Sequence, residues 1–354
     1  MTQYAERSAR RPERRRPEPR QPPARAGSRA GWIAAACVVL AGAAVANQVI
    51  AKRSERRHPP RGRFVTVDGV RLHYLDRGAG PAVVLIHGNG VTAEDFQLSG
   101  LLGRLAQGHR VIAFDRPGFG YSDRPRRRPW TARDQARILL RALTAIGVEA
   151  AVFVAHSWGT LVAVEAALAE PERARGLVLL SGYYWPTPRL DAPLLSGPAI
   201  PGLGDVMRFT VSPLLGWATT PLVFKQMFSP AKVAPRFKAG FPTSMSLRPW
   251  QLRATAADAA MMPLEAARTA ARRKRITAPV LVISGDGDKI VSFADQSKRL
   301  AGELGVQLQV IEGAGHMIHH TAPHEVATAI EAFLDQIDRP PPTAPLPAAT
   351  QPTG

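Results

Sequence analysis

A serine, a pair of aspartates and a histidine each stand just past an apolar run in this chain. Val152-Phe153-Val154-Ala155 leads into His156-Ser157-Trp158-Gly159 and then into Thr160-Leu161-Val162-Ala163-Val164-Glu165, which reads as strand, sharp turn and helix. A serine on such a turn points its hydroxyl out of the sheet, where it can act as a nucleophile. Gly159 fits, because the helix must pass close beside the turn and a side chain there would push it away. Ala155 stands where the commoner form of this signal has a second glycine, and Ser157 has the alternative role of capping the helix.

A nucleophilic serine needs a base for its proton, and an imidazole base needs an anion on its other nitrogen. The apolar run Ala278 to Ser284 ends in Gly285-Asp286-Gly287-Asp288-Lys289, and Val306 to Ile311 ends in Glu312-Gly313-Ala314-Gly315-His316. In an open parallel sheet, sites form outside the carboxyl ends of the strands. His316 is the expected base, since Gly313 and Gly315 free the loop that must carry it back over the sheet. His319 and His320 stand nearer the helix that follows at Pro323, and His156 is a further, weaker alternative. Asp288 or Asp286 is the orienting acid, the other being free to cap turn amides.

Residues 64 to 337 resemble the α/β-hydrolase superfamily, in particular its cap-bearing epoxide hydrolase, haloalkane dehalogenase, cofactor-free haloperoxidase and carboxylic-ester hydrolase members. The resemblance rests on His87-Gly88-Asn89-Gly90 after the run Val83 to Ile86, on Asp115-Arg116-Pro117-Gly118-Phe119-Gly120-Tyr121-Ser122-Asp123, on the turn at Ser157, on Gly285-Asp286-Gly287-Asp288 and on Gly315-His316, in family order. It implies that Asp288 is the triad acid and that the backbone N-H groups of Asn89 and Trp158 form the oxyanion hole. Epoxide hydrolases and haloalkane dehalogenases of the superfamily attack with aspartate, whereas a serine at 157 implies an acyl-enzyme and favours ester hydrolysis. Asp115 reads as structural, its carboxylate bonding to amides of the Pro117-Gly118 turn.

The chain has 354 residues, a formal charge of +18 and a single cysteine, Cys37, which excludes an intramolecular disulfide framework. The charge is concentrated at the N-terminus: residues 1 to 30 hold nine arginines against three glutamates, and Lys52 to Arg63 adds a second basic cluster. With no zinc spacing, recognition helix or stacking surface beside them, these clusters do not read as a nucleic-acid interface. Between them, the twenty residues Gly31 to Ile50 carry no formal charge. At ~1.5 Å per residue they are long enough to cross a bilayer. The expected organisation is a basic tail (1–30), a membrane anchor (31–50), a basic linker (51–63), a catalytic core (64–182 and 275–338) and a disordered tail (339–354). The slightly larger positive excess before the anchor places the catalytic domain outside the cytoplasm. The alternative is a signal cleaved after Ala46, from the small-x-small pattern Ala44-Val45-Ala46, leaving a secreted or periplasmic enzyme.

Around an Asp68-Gly69 hairpin signal and onward, strands alternate with helical patterns such as Asp134 to Ile146 and Glu325 to Ile337. The expected fold is α/β: a mostly parallel sheet with helices on both faces. Residues 183–274 break the alternation with many prolines, aromatics and methionines, and look like an inserted helical cap. Tyr183, Tyr184 and Trp185 at its start are possible pocket-lining residues. The function expected is a membrane-tethered serine hydrolase acting on a small to medium apolar carboxylic ester, with no cofactor and no metal. Gly315 to His320 is rich in histidine but shows no ligand partners at recognisable spacing. The alternatives are a haloperoxidase-like or carbon-carbon bond hydrolase with the same triad, and a catalytically silent binding protein of the same fold at the membrane.

Overall fold

The apolar runs Val83 to Ile86, Val152 to Ala155 and Leu177 to Leu180 are shut from solvent on both faces, as strands of a parallel sheet covered on both sides must be. The computed structural model describes residues 26–128, 130–187 and 196–339, so most of both expected tails lies outside the described residues. The strands are β1 (Arg63–Val67), β2 (Val70–Arg77), β3 (Ala82–Ile86), β4 (Arg110–Phe114), β5 (Ala151–His156), β6 (Ala174–Leu180), β7 (Val280–Gly285) and β8 (Gln307–Ile311). They form one sheet in the order β1-β2-β4-β3-β5-β6-β7-β8. β1 and β2 close the hairpin at Asp68-Gly69, where both residues have positive φ. β2 runs antiparallel to β4, and all later pairs are parallel.

From β3 the chain moves to one side to make β4, then returns to the other side of β3 to make β5. This reversal opens a crevice outside the carboxyl ends of β3 and β5, the usual place for a site in a doubly wound sheet. The helices Ala132–Ala145 and Gly159–Ala169 pack on one face, and Leu101–Leu105 and Pro323–Asp338 on the other. Thr131 begins the first of these with a capping box, its hydroxyl accepting from the amide of Asp134.

The insertion between β6 and β7 is a helical cap: Leu203–Phe209, Val211–Phe228, Pro235–Gly240, Thr243–Ser246 and Pro249–Ala270. The chain divides into two compact units, Met1–Gly42 and Ala43–Gly354. The N-terminal helix covers Ala26–Arg57, so residues 51–57, read from sequence as linker, continue it. No glycine or proline interrupts that stretch before Pro59. Within the larger unit the end of this helix packs on the cap. Asn47 donates its side-chain amide to the carbonyls of Phe209 and Thr210 at 2.9 and 2.8 Å, Ser54 bonds Ser244 at 2.6 Å, and Glu55 pairs with Arg248 at 2.9 Å. The segment Arg29–Arg57 has a mean hydropathy of 2.1 over its most apolar window and is long and apolar enough to cross a membrane, features that a signal sequence shares.

Candidate active site

Ser157 stands at the end of β5 with φ of 53°, a left-handed conformation that a side chain normally avoids and that marks strain at functional turns. The turn survives because its neighbours hold it. The Ser157 amide donates to the carbonyl of Leu180 at 2.9 Å, and Thr160 donates its hydroxyl to the Ser157 carbonyl at 2.6 Å. A Cβ on Gly159 would strike the carbonyl oxygens of Ile86 and His87, so the helix can approach β3 only with glycine there. Ala155 is tolerated because it sits within β5, paired with Ile86 and Leu179, rather than at the close approach. Ser157 does not cap the helix with its side chain.

The Ser157 hydroxyl instead meets His316 Nε2 at 2.9 Å, and His316 Nδ1 meets Asp288 Oδ2 at 2.7 Å. The other oxygen of Asp288 accepts the amides of Ile290 and Val291 at 2.8 and 2.9 Å. A carboxylate held by two amides can accept only from the imidazole Nδ1-H, which leaves Nε2 bare to take the serine proton. Asp286 is turned away and accepts the amide of Gly313 at 2.7 Å, capping the β8 loop. Its proximity in sequence to Asp288 is therefore no rivalry in space. The loop carrying His316 is gripped by the cap: the His316 amide donates to Met227 at 3.1 Å, and a Cβ on Gly315 would collide with the carbonyls of Phe228 and Ser229. Ser157, His316 and Asp288 are 6%, 3% and 8% exposed, so the triad lies closed in this state. A recess of about 450 Å³ beside Gln307, Gln309 and His324 lies at the β8 edge and contains no triad residue.

His319 and His320, weighed from sequence as rival bases, both donate through Nε2 to Asp95, each at 2.7 Å. His156 donates through Nε2 to the carbonyl of His316 at 3.1 Å, and its ring lies 4.8 Å from that of His316 and 4.6 Å from that of His319. Burial pushes His156 well below the ordinary imidazole range, with the nearby histidines adding to it, so the ring beneath the catalytic base stays neutral. Burial alone would raise Asp95, but His320 and His319 hold it well below its ordinary value. Asp95, His156 and His319 place one potential metal-ligand atom each within 4.8 Å of one another. Histidine spacing could not reveal these partners, because Asp95 comes from a distant helix. Asp95 spends one carboxylate oxygen on each of His319 and His320.

The loop after β3, which carries Asn89, is fixed by a buried arginine. Arg116 receives its place from the end of β4 and donates to the carbonyls of His87 and Gly88, both at 2.9 Å, and to Asp258 at 2.6 Å. Asp258, on the long cap helix Pro249–Ala270, also pairs with Arg124 at 2.9 Å. The same helix accepts the Trp158 indole N-H at the Asp258 carbonyl (3.0 Å) and the Asn89 side-chain amide at the Thr255 carbonyl (3.0 Å). His87 accepts the Arg116 amide on Nε2 and donates from Nδ1 to Gly88. Burial, reinforced by Arg116, lowers its pKa to about 4.

Asp115 is structural, though not through the Pro117-Gly118 turn: it accepts the amides of Ala93 and Tyr121 at 2.9 and 3.0 Å and bonds His73 at 2.7 Å. Tyr183, Tyr184 and Trp185 are not brought to the triad by any described contact. The Tyr183 hydroxyl accepts the Thr187 amide. Trp185 lies between the guanidinium groups of Arg273 and Arg299, at 3.6 and 4.3 Å from its ring centre. Gln296 holds the amides of Tyr184 and Trp185, and burial pushes the Tyr184 phenol up.

A family described as the alpha/beta hydrolase fold matches residues 81–323, a span containing β3 to β8, the cap and all three triad residues. The chain belongs to the alpha/beta hydrolase family. It is a serine hydrolase with a Ser157-His316-Asp288 triad. A 2-(acetamidomethylene)succinate hydrolase of Mesorhizobium japonicum is 24% identical over 77% of this chain and 95% of that protein. A 2-hydroxymuconate semialdehyde hydrolase of a Pseudomonas species is 38% identical, over 38% of this hydrolase and 49% of its own length. A crystal structure described as a membrane phospholipase A shares the fold, with TM-score 0.60 and 22% identity over 89% of this chain and 98% of that one. Relatives of this hydrolase thus differ in the reaction for which they are named.

Proposed function

We propose that this hydrolase cleaves an apolar carboxylic ester of small to medium size through an acyl-enzyme on Ser157, held at a membrane by its N-terminal helix. The continuous chain from Ser157 Oγ through His316 to Asp288, at 2.9 and 2.7 Å, carries the reading. His316 Nε2 takes the hydroxyl proton as Oγ bonds to the ester carbonyl carbon, and the carbonyl electron pair moves to oxygen. The backbone N-H groups of Asn89 and Trp158 receive that oxyanion. The bonds from Arg116 to the His87 and Gly88 carbonyls support this role, since a donor that is fixed beforehand costs no reorganisation in the transition state. Each such donor contributes about 3 kcal/mol where one has been removed in other enzymes. When the oxyanion collapses, the alcohol leaves with the proton from His316. Water then gives a proton to His316 and its oxygen to the acyl carbon, and Ser157 departs with that proton as the acid is released.

A carbon-carbon bond hydrolase is the second reading, favoured by the 38% identity with the 2-hydroxymuconate semialdehyde hydrolase. Its serine would attack a ketone and expel a carbanion in place of an alkoxide. Purified full-length protein assayed on p-nitrophenyl butyrate and on β-diketones separates the two. Turnover of the ester that vanishes in Ser157→Ala supports the primary reading, and turnover of diketones alone replaces it. Absence of fluorophosphonate labelling at Ser157 in folded protein would favour a silent binding protein.

A further inference from the structure

The cap helix Val211–Phe228 turns an apolar stripe outward. Val211, Leu214, Leu215 and Leu222 recur at helical spacing and are all exposed, Leu214 at 56% and Leu222 at 67%. Leu203 and Val206 on the preceding cap helix are exposed as well. A surface helix normally directs such a stripe at the core, and a contiguous outward one marks an interaction surface. What covers it follows from where it meets the N-terminal helix. Asn47 donates to the carbonyls of Phe209 and Thr210, the junction between these two cap helices. In that helix Val45, Val49 and Ile50 beside Asn47 are exposed and apolar, and the next turn brings the exposed Lys52 and Arg53. Asn47 therefore stands three residues, or about 4.5 Å of helix rise, inside the apolar end of the segment. Exposed Lys225 likewise ends the cap stripe. Apolar surface with basic residues at its margin suits an interfacial position on anionic lipid.

We propose that the helices Leu203–Phe209 and Val211–Phe228 lie in the bilayer interface, so that the substrate reaching Ser157 is an amphiphilic long-chain ester drawn from the membrane. This rests on the ester-hydrolase reading above and names its substrate class. The closed triad fits it, since the cap that covers Ser157 is the element whose outer face would meet lipid.

The test uses the full chain reconstituted in vesicles of equal parts phosphatidylcholine and phosphatidylglycerol. p-Nitrophenyl palmitate dissolved in the bilayer and p-nitrophenyl butyrate in the water are compared for the native protein and for combined Leu214→Ser, Leu215→Ser and Leu222→Ser. These side chains are exposed, and an unchanged melting temperature confirms the fold. Loss of interfacial apolar area should cut palmitate turnover about tenfold or more and leave butyrate within about twofold. Equal loss of both, or no loss of palmitate turnover, overturns the proposal. Docking is also read without catalysis, using Leu215→Cys in a Cys37→Ser background labelled with an environment-sensitive fluorophore. Quenching by brominated lipid supports it. No quenching, or a dimer of native protein that the triple variant dissolves while palmitate turnover persists, assigns the face to a second copy and overturns it. A native protein inactive on both esters and unlabelled by fluorophosphonate defeats the ester-hydrolase reading instead, and the quenching result still decides the docking.

Discussion

Asp288 meets His316 at 2.7 Å through one carboxylate oxygen while the amides of Ile290 and Val291 hold the other. Asn at 288 would keep the shape but present an amide N-H to one of these partners, disturbing the imidazole tautomer. In a serine triad of another fold the same change costs about 10⁴ in turnover. Asp288→Asn should cut turnover of p-nitrophenyl butyrate at least about a hundredfold with a near-native circular dichroism spectrum, and Asp286→Asn should cost far less. A crippled Asp286 variant beside an active Asp288 variant would reverse the assignment.

Asp258 ties the cap to the loop that carries Asn89, by pairing with Arg116 at 2.6 Å and Arg124 at 2.9 Å in full burial. Asp258→Ala leaves two buried guanidinium groups without their anion, a change of the kind that costs about 3 to 5 kcal/mol. Urea unfolding should show that loss. Because Arg116 also holds the His87 and Gly88 carbonyls, kcat should fall more than KM rises.

Stability should decline in mild acid through His87. Its pKa is about 4 in the folded protein, against an ordinary 6.5. Between those values the unfolded chain binds a proton that the folded chain refuses, so stability is full above pH ~6.5 and is lost as pH falls toward 4. The shift is worth roughly 3 kcal/mol. His156, lowered by burial in the same sense, adds to the slope. Chemical unfolding at pH 7 and pH 4.5 measures it, and His87→Gln should flatten it.

Asp95 accepts from His319 and His320 deep below the triad. Asp95→Leu removes the acceptor of both and should destabilise the fold by about 3 kcal/mol or more. Loss of activity in His319→Gln to the same degree as in His316→Ala would contradict the role of His316 as the base.

If the N-terminal helix is an uncleaved anchor, full-length protein should stay with membranes through high salt and alkaline carbonate. A mature N-terminus at Asn47 would end that reading. The packing of Asn47, Ser54 and Glu55 on the cap bears on the design of soluble forms. Truncation before Ala43 keeps these contacts, and truncation at residue 60 should lower the melting temperature by removing them.

The sequence alone determined the nucleophile, the base and the order of strands and helices, because each is written in short-range features. Strand periodicity, the Asp68-Gly69 turn, the glycines around His316 and the small residue after Trp158 act over a few residues of chain. The resemblance implied Asp288 over Asp286, and the physical reason, the direction in which their loop turns the two carboxylates, came only from the tertiary structure. Only the tertiary structure brought Asp258 to Arg116 across 142 residues, and Asp95 to His319 across 224. Such partners carry no local pattern, since a buried charge declares itself through the group that neutralises it, and that group can come from anywhere in the chain. The packing of the N-terminal helix on the cap has the same origin: Asn47, Ser54 and Glu55 look like ordinary polar residues until the cap supplies their partners.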